Sequence, residues 1–232
     1  MIFGIVGGVG SGKSVSATKK VLDSKPQHCY CNFGINTSNS TRIKKDNVIT
    51  QEITGKTPRG KDVIEMKVNW EFWNKQKKKH GNYHIFLDEC HNLFHSRQSM
   101  KKFNVLGTQW ISQIRKLLGA SETTHIYLMS QKIKRIDSAF RDLMHGVIGC
   151  TKYVDTSTIV DTVVVNNGVK SIIKLPRIFI LQHYFQGYDC VERAEAWSFT
   201  GEKLFNFRTH FYANPYFQFY DTYEIFGETG WL

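Results

Sequence analysis

The sequence predicts an α/β protein: a mostly parallel sheet between helices, followed by a β-hairpin or meander and an aromatic-rich tail. Three observations predict it. An apolar run at the start (Ile2, Phe3, Ile5, Val6) passes directly into Gly7-Gly8-Val9-Gly10-Ser11-Gly12-Lys13-Ser14, which satisfies the phosphate-loop pattern G-x-x-x-x-G-K-[ST] at every required position. Short apolar runs then alternate with segments of helical period as far as Tyr153, as in sheets whose strands are joined by crossover helices. From Thr156 the period changes, and Asn166-Asn167-Gly168 between two β-prone runs signals a hairpin.

The first element is the strand ending at Val6, and the glycines after it open a helix carrying Val15, Ala17, Thr18, Val21 and Leu22 at helical spacing. A strand, a glycine loop and a helix N-terminus in that order form an anion cradle, because unpaired backbone N–H groups and the helix dipole converge on the loop. Gly7 to Val15 are therefore the expected nucleotide contacts. On the chemistry of a nucleoside triphosphate, Lys13 reaches the β- and γ-phosphates and the Ser14 hydroxyl ligates the Mg²⁺ between them.

Gln27 to Phe33 reads as a second strand. Gly34 to Lys67 is polar, with a turn at Pro58-Arg59-Gly60, and is expected to be a long surface excursion. Lys67 to His80 reads as a helix with Val68, Phe72 and Trp73 on one side, trailed by Lys75, Lys77, Lys78 and Lys79. Basic residues there suit either the dipole of a helix end or a nucleic-acid contact.

Tyr83 to Glu89 is an apolar strand tipped by two adjacent carboxylates, which a buried strand carries when something cationic is held there. Downstream of a phosphate loop it reads as the Walker B element, with Asp88 orienting the Mg²⁺ and Glu89 polarising the attacking water as general base. A polar link from His91 to Lys102 leads to a helix over Val105 to Leu118, with Trp110, Ile111 and Ile114 in its stripe and Arg115 opposite. The next strand, Thr124 to Ser130, ends at Gln131, the expected sensor of the γ-phosphate. Asp137 is an N-cap candidate for a helix bearing Arg141, and Val147 to Tyr153 reads as a fifth core strand. Val160–Val165 and Val169–Leu175 flank the hairpin turn, and Pro176 to Phe185 adds another extended segment. The tail from Trp197 is dense in aromatics, among them Phe211, Phe217, Tyr220, Tyr223 and Phe226, expected to pack on the core or on a neighbouring subunit. The domain division that follows is residues 1–155 as the core, with 34–66 as its insertion, and 156–232 as the extension.

Composition narrows the classes. With 232 residues, 41% apolar and 13% aromatic, the chain supports one sizeable core with an appendage, and it is not a disordered protein. No window approaches the roughly 18 consecutive apolar residues of a membrane span, and the apolar start lacks the basic leader of a signal peptide. The expectation is a soluble protein of a reducing compartment. The five cysteines form no repeated C-x-x-C pair and are expected to be free thiols. A zinc site built from Cys29, Cys31, His91 and His95 would match no standard spacing. Lys and Arg outnumber Asp and Glu by 31 to 20, and a formal charge of +11 invites a polyanionic partner.

The order of these motifs resembles the additional-strand P-loop ATPases. Within them, Ile85-Phe86-Leu87-Asp88-Glu89-Cys90-His91, Ile114-Arg115-Lys116 before Ile126-Tyr127-Leu128-Met129-Ser130-Gln131, and Ile136-Asp137-Ser138-Ala139-Phe140-Arg141 look like the FtsK-HerA superfamily. The branches most resembled are the viral genome-packaging ATPases and the zonula occludens toxin-like assembly proteins of filamentous phages. Phe219-Tyr220-Asp221-Thr222-Tyr223-Glu224 has the flavour of the latter. The resemblance implies ATP and Mg²⁺ as ligands and a homo-oligomeric ring, pentameric or hexameric, that moves double-stranded viral DNA through its pore. It also implies an arginine supplied by the neighbouring subunit, which falls on Arg115, with Arg141 in reserve. Such a finger is worth about 10³ to 10⁵ in rate. The toxin-like proteins carry a membrane span after the ATPase domain and this sequence shows none, which favours genome packaging over filamentous-phage-type assembly and export. The expected setting is the host cytoplasm or the packaging vertex of the virion, with a capsid-vertex or membrane protein as a further partner. A reading from another class, a small P-loop kinase or nucleotide switch, needs a mobile lid, for which 34–67 is the candidate.

Overall fold

The computed structural model describes residues 1–77, 83–92, 102–118, 124–166 and 168–221. Ten strands and six helices occur among them: β1 (Ile2–Val6), α1 (Lys13–Ser24), β2 (His28–Cys31), β3 (Ser40–Arg42), α2 (Lys45–Val48), β4 (Ile49–Lys56), β5 (Asp62–Val68), α3 (Trp70–Lys77), β6 (Tyr83–Leu87), α4 (Lys102–Leu118), β7 (His125–Ser130), α5 (Ser138–Arg141), β8 (Gly146–Asn166), β9 (Val169–Gln186), α6 (Cys190–Thr200) and β10 (Phe207–Tyr212). Eight strands form one sheet in the order β10-β9-β8-β1-β7-β6-β2-β3. From β3 to β8 every neighbouring pair is parallel, and β9 and β10 add on antiparallel. This is the mostly parallel α/β class that the sequence predicts.

Both faces of the parallel part are covered, so its strands are apolar on alternate residues in both directions. Ile85 and Leu87 of β6 and Ile126 and Leu128 of β7 face a core with Trp73 of α3 and Trp110, Ile111 and Ile114 of α4. Phe86, Tyr127 and Met129 face the opposite core with Val15, Ala17 and Val21 of α1. Phe86 and Tyr127 stack across the strands at 4.4 Å.

The excursion expected over 34–67 is ordered. It holds edge strand β3, the single turn α2, and the hairpin β4–β5, whose turn closes through Gly60 N–H to Thr57 O at 2.8 Å. Gln51 to Lys56 are exposed throughout, so no alternation of apolar and polar residues marked β4 as a strand. The helix expected from Lys67 begins at Trp70, because Lys67 and Val68 pair with Thr50 and Ile49. Lys78, Lys79 and His80 lie outside the described residues, as do His95, Asn167, Thr222, Tyr223, Glu224 and Phe226.

Beyond Gly146 the expected short segments merge into two long strands, and the boundary expected at residue 155 falls inside β8. Pro176, which has no N–H for the ladder, lies inside β9. The strands accommodate it with a bulge: Asp155 pairs with Arg177 and Ile159 with Pro176, and the intervening Ser157 turns its N–H onto Asp155 Oδ1 at 3.0 Å. Helix α6 went unread in the sequence. Its buried face is only Cys190, Val191 and Ala194, and its Trp197 packs on Gly149, where a Cβ would lie 2.4 Å from the indole.

The tail is part of the core. β10 pairs with β9, and a 3-10 turn over Asn214–Phe219 then returns the chain across α1. Buried Asn214 fixes that return: its Oδ1 accepts from Ile178 N–H (2.8 Å), and its Nδ2 donates to Thr162 Oγ1 (2.9 Å) and Pro176 O (3.1 Å). The five cysteines are buried free thiols. Among the described residues no helix is long and apolar enough to cross a membrane.

Candidate functional site

The strand order brings the tips of β1, β7 and β6 to one edge of the sheet, since parallel strands end on the same side, and β8 runs past that edge beside β1. The phosphate-loop sequence leaves β1 there. Gly7 has φ +155°, and a Cβ on it would meet Cys150 O at 2.5 Å, so only glycine fits beside β8. Val9 is at the apex, 78% exposed. α1 starts at Lys13 with Gly12 as its left-handed N-cap residue, so the first N–H groups of the helix open toward the loop.

Lys13 is buried, and its Nζ donates to Gly7 O (2.9 Å) and Gly8 O (3.1 Å). Ser14 Oγ donates to Asp88 Oδ2 at 3.2 Å across 74 residues of sequence. The other oxygen, Asp88 Oδ1, accepts from Glu89 N–H at 2.8 Å. Burial, and after it the charge of Glu89, push the Asp88 carboxyl above its ordinary range, against the pull of the Glu89 N–H, Lys13 and Ser14. Glu89 itself sits at φ +48°, a left-handed backbone uncommon for a residue with a side chain and concentrated at functional sites.

Around these groups lies a cavity of about 590 Å³, lined by Val9 to Val15, Asp88, Glu89, His91, Asn92, Gln131 and Lys152, among others. The residues expected to contact nucleotide from Val9 to Val15, the two carboxylates and Gln131 thus share one cavity. Gly7 and Gly8 line a separate pocket on the other side of the loop, into which Gln131 also reaches. Gln131 Oε1 accepts from Arg135 Nη1 at 3.0 Å. Arg115 belongs to the last turns of α4, and its side chain lies outside the described residues. Arg141 ends α5 and does not line the cavity; its Nε is buried with no hydrogen-bond partner among the described residues.

The roles of two positions escaped the sequence reading. Asn32, just beyond the tip of β2, donates from Nδ2 to Asp88 O (2.8 Å) and accepts the Asp88 N–H on Oδ1 (2.7 Å), so one side chain holds the whole peptide frame of the aspartate. The signal was a lone polar residue after His28-Cys29-Tyr30-Cys31, but its meaning needed β2 and β6 to be neighbours. Asn32→Ala is expected to remove both of these hydrogen bonds to buried Asp88 and to destabilise the fold by about 2 to 4 kcal/mol, measurable by denaturant unfolding. His91 is the second. Ser130 Oγ donates to Lys132 O, so it accepts from His91 Nδ1–H at 3.1 Å, and the same nitrogen stands 3.2 Å from Glu89 Oε2. The imidazole thereby orients the Glu89 carboxylate.

The donor set suits a hard divalent cation: a hydroxyl and a carboxylate oxygen side by side, with glycine-lined backbone and a lysine next to them.

Comparisons with known proteins give a family and several structural likenesses. The N-terminal domain of zonular occludens toxin from Neisseria meningitidis is 15% identical, with a TM-score of 0.49 over 95% of this chain and 98% of that one. The genome packaging NTPase B204 from Sulfolobus turreted icosahedral virus 2, in complex with ATP-gammaS, is 14% identical, with a TM-score of 0.40 over 64% of this chain and 74% of that one. B204 from Sulfolobus turreted icosahedral virus, a DNA-packaging ATPase, is 17% identical with a TM-score of 0.37 over 64% and 74%. No curated protein sequence matches. The pattern of the zonular occludens toxin family matches residues 1–158 of the 232, a stretch that contains the glycine loop and both carboxylates. On that match the chain belongs to the zonular occludens toxin (Zot) family.

Proposed function

We propose that this protein is a Mg²⁺-dependent ATP hydrolase that works as a homo-oligomeric ring and moves DNA during virion assembly. One observation carries the enzymatic part: Ser14 and Asp88, 74 residues apart, lie 3.2 Å from each other in the cavity that also holds Lys13 and Glu89. Lys13 exchanges its bonds to the Gly7 and Gly8 carbonyls for β- and γ-phosphate oxygens. Ser14 and Asp88 would hold a magnesium ion, whose charge would offset that of the phosphates. Glu89, aligned by His91, takes the proton of the attacking water, and Gln131 contacts the γ-phosphate from the tip of β7. Arg115 is the candidate for a cation delivered to the neighbouring subunit, with Arg141, which does not line the cavity among the described residues, in reserve.

The charge of +11 supports a DNA substrate, and genome packaging is one form of the work. The family match is the specific observation that favours the other form, virion assembly and export of the filamentous-phage type. Double-stranded DNA is expected to raise the ATPase rate at low salt, with the stimulation fading as salt rises. A rate indifferent to nucleic acid at both salt levels would count against DNA movement. Transfer of phosphate to an added acceptor, in place of free phosphate release, would favour the kinase reading.

A further inference from the structure

The cavity has a second end that the phosphate chemistry does not use, lined by Val15, Ile178, Ile180, Phe217 and Tyr220. Strand order separates the two ends. Asp88 stands at the tip of β6, two strands from β1 on one side, and Ile178 and Ile180 belong to β9, two strands from β1 on the other. The tail then carries Phe217 and Tyr220 back across α1. Gly12 makes the approach of β9 possible: a Cβ there would lie 2.3 Å from Ile180 Cδ1.

A bound triphosphate has its direction set by this layout. Its β- and γ-phosphates belong beside Ser14 and Asp88, so its α-phosphate and nucleoside leave over Val15, the first turn of α1, toward β9 and the tail. The surfaces waiting there suit a flat aromatic heterocycle. Two isoleucines offer an aliphatic wall, and the rings of Phe217 and Tyr220 stand edge-on to each other at 6.1 Å. Tyr220 is only 7% exposed and lines the cavity beside Phe217. The tyrosine is not loosely placed, because its backbone bridges to Ile35 and the preceding Phe219 O accepts from Asn36 N–H at 2.6 Å.

We propose that Ile178, Ile180, Phe217 and Tyr220 form the seat of the nucleobase and ribose of the bound nucleoside triphosphate, which makes the C-terminal tail a wall of the nucleotide site. The base lies against the aliphatic wall and the Phe217 ring, and the Tyr220 O–H donates to a polar edge of the nucleoside. This rests on the triphosphate reading of the phosphate loop, and the test separates the two.

Calorimetric titration of the full chain with MgATP and with magnesium tripolyphosphate, which has the phosphates but no nucleoside, tests the seat. Phe217→Leu keeps apolar bulk and removes the ring face. It is expected to weaken MgATP about five- to a hundredfold, the range of one base–aromatic stack, and to leave tripolyphosphate binding unchanged. Tyr220→Phe is expected to weaken MgATP alone by a smaller factor. Retained tripolyphosphate binding shows that each variant is folded. Equal loss of both ligands, or loss of neither, would overturn the seat. If instead the wild-type chain binds neither ligand, the phosphate-loop reading fails.

Discussion

Glu89→Gln is expected to lower ATP turnover by about 10² to 10⁴, the range that a positioned general base contributes, while MgATP still binds nearly as well as to the wild type. The amide keeps the shape of the side chain and can still meet His91, so the left-handed backbone at this position has no new reason to relax. What it loses is the capacity to accept the proton of the attacking water. Asp88 does not replace it: both its oxygens are engaged, one by Ser14 and one by the Glu89 N–H, and burial makes it a different kind of carboxylate. Steady-state phosphate release beside equilibrium nucleotide binding reads out both halves. Turnover that persists at wild-type rate would remove Glu89 from the role of base and leave its strained backbone without an explanation.

Lys13→Ala is expected to act one step earlier, on binding itself. The ammonium is the buried cation of the loop, and charge-assisted bonds to phosphate are worth roughly 1.5 to 3 kcal/mol each, so MgATP affinity is expected to fall by at least about tenfold. Thermal melting gives the check. A ligand that binds only the folded chain raises its melting temperature by mass action, and the shift that MgATP produces in the wild type is expected to vanish in the variant. The fold itself is expected to survive, because Lys13 bonds to two loop carbonyls that water can reach once the side chain is gone. A variant that melts and binds like the wild type would mean that the glycine loop holds no phosphate.

Together the two substitutions test whether the proposed site divides into a part that binds and a part that reacts. The motifs behind both proposals were visible in the linear chain, and for the same reason. The glycines, the lysine and the serine lie within eight consecutive residues, so the local backbone places them, and the Asp-Glu pair sits at the tip of a run whose apolar character is itself local. The core strands β1, β6 and β7 were readable because burial on both faces makes them apolar along their length. The hairpin β4–β5 was not, because strands exposed to water on both faces carry no periodic signal. α6 was missed for the opposite reason. Its contact with the sheet is made by small residues and one tryptophan seated on a glycine 48 positions away, a fit that exists only once both are placed.

The chain alone thus determined the class of fold and the local glycine-loop and Asp-Glu motifs, since those follow from short-range spacing and residue type. Tertiary structure decided everything that depends on which strands become neighbours. It put Ser14 against Asp88, gave Asp88 its frame from Asn32 just beyond β2, and brought β9 and the tail to the far side of the glycine loop. The physical reason is that the pairing of distant strands is settled by how the two apolar faces of the whole sheet are covered together, a condition that no window of sequence contains.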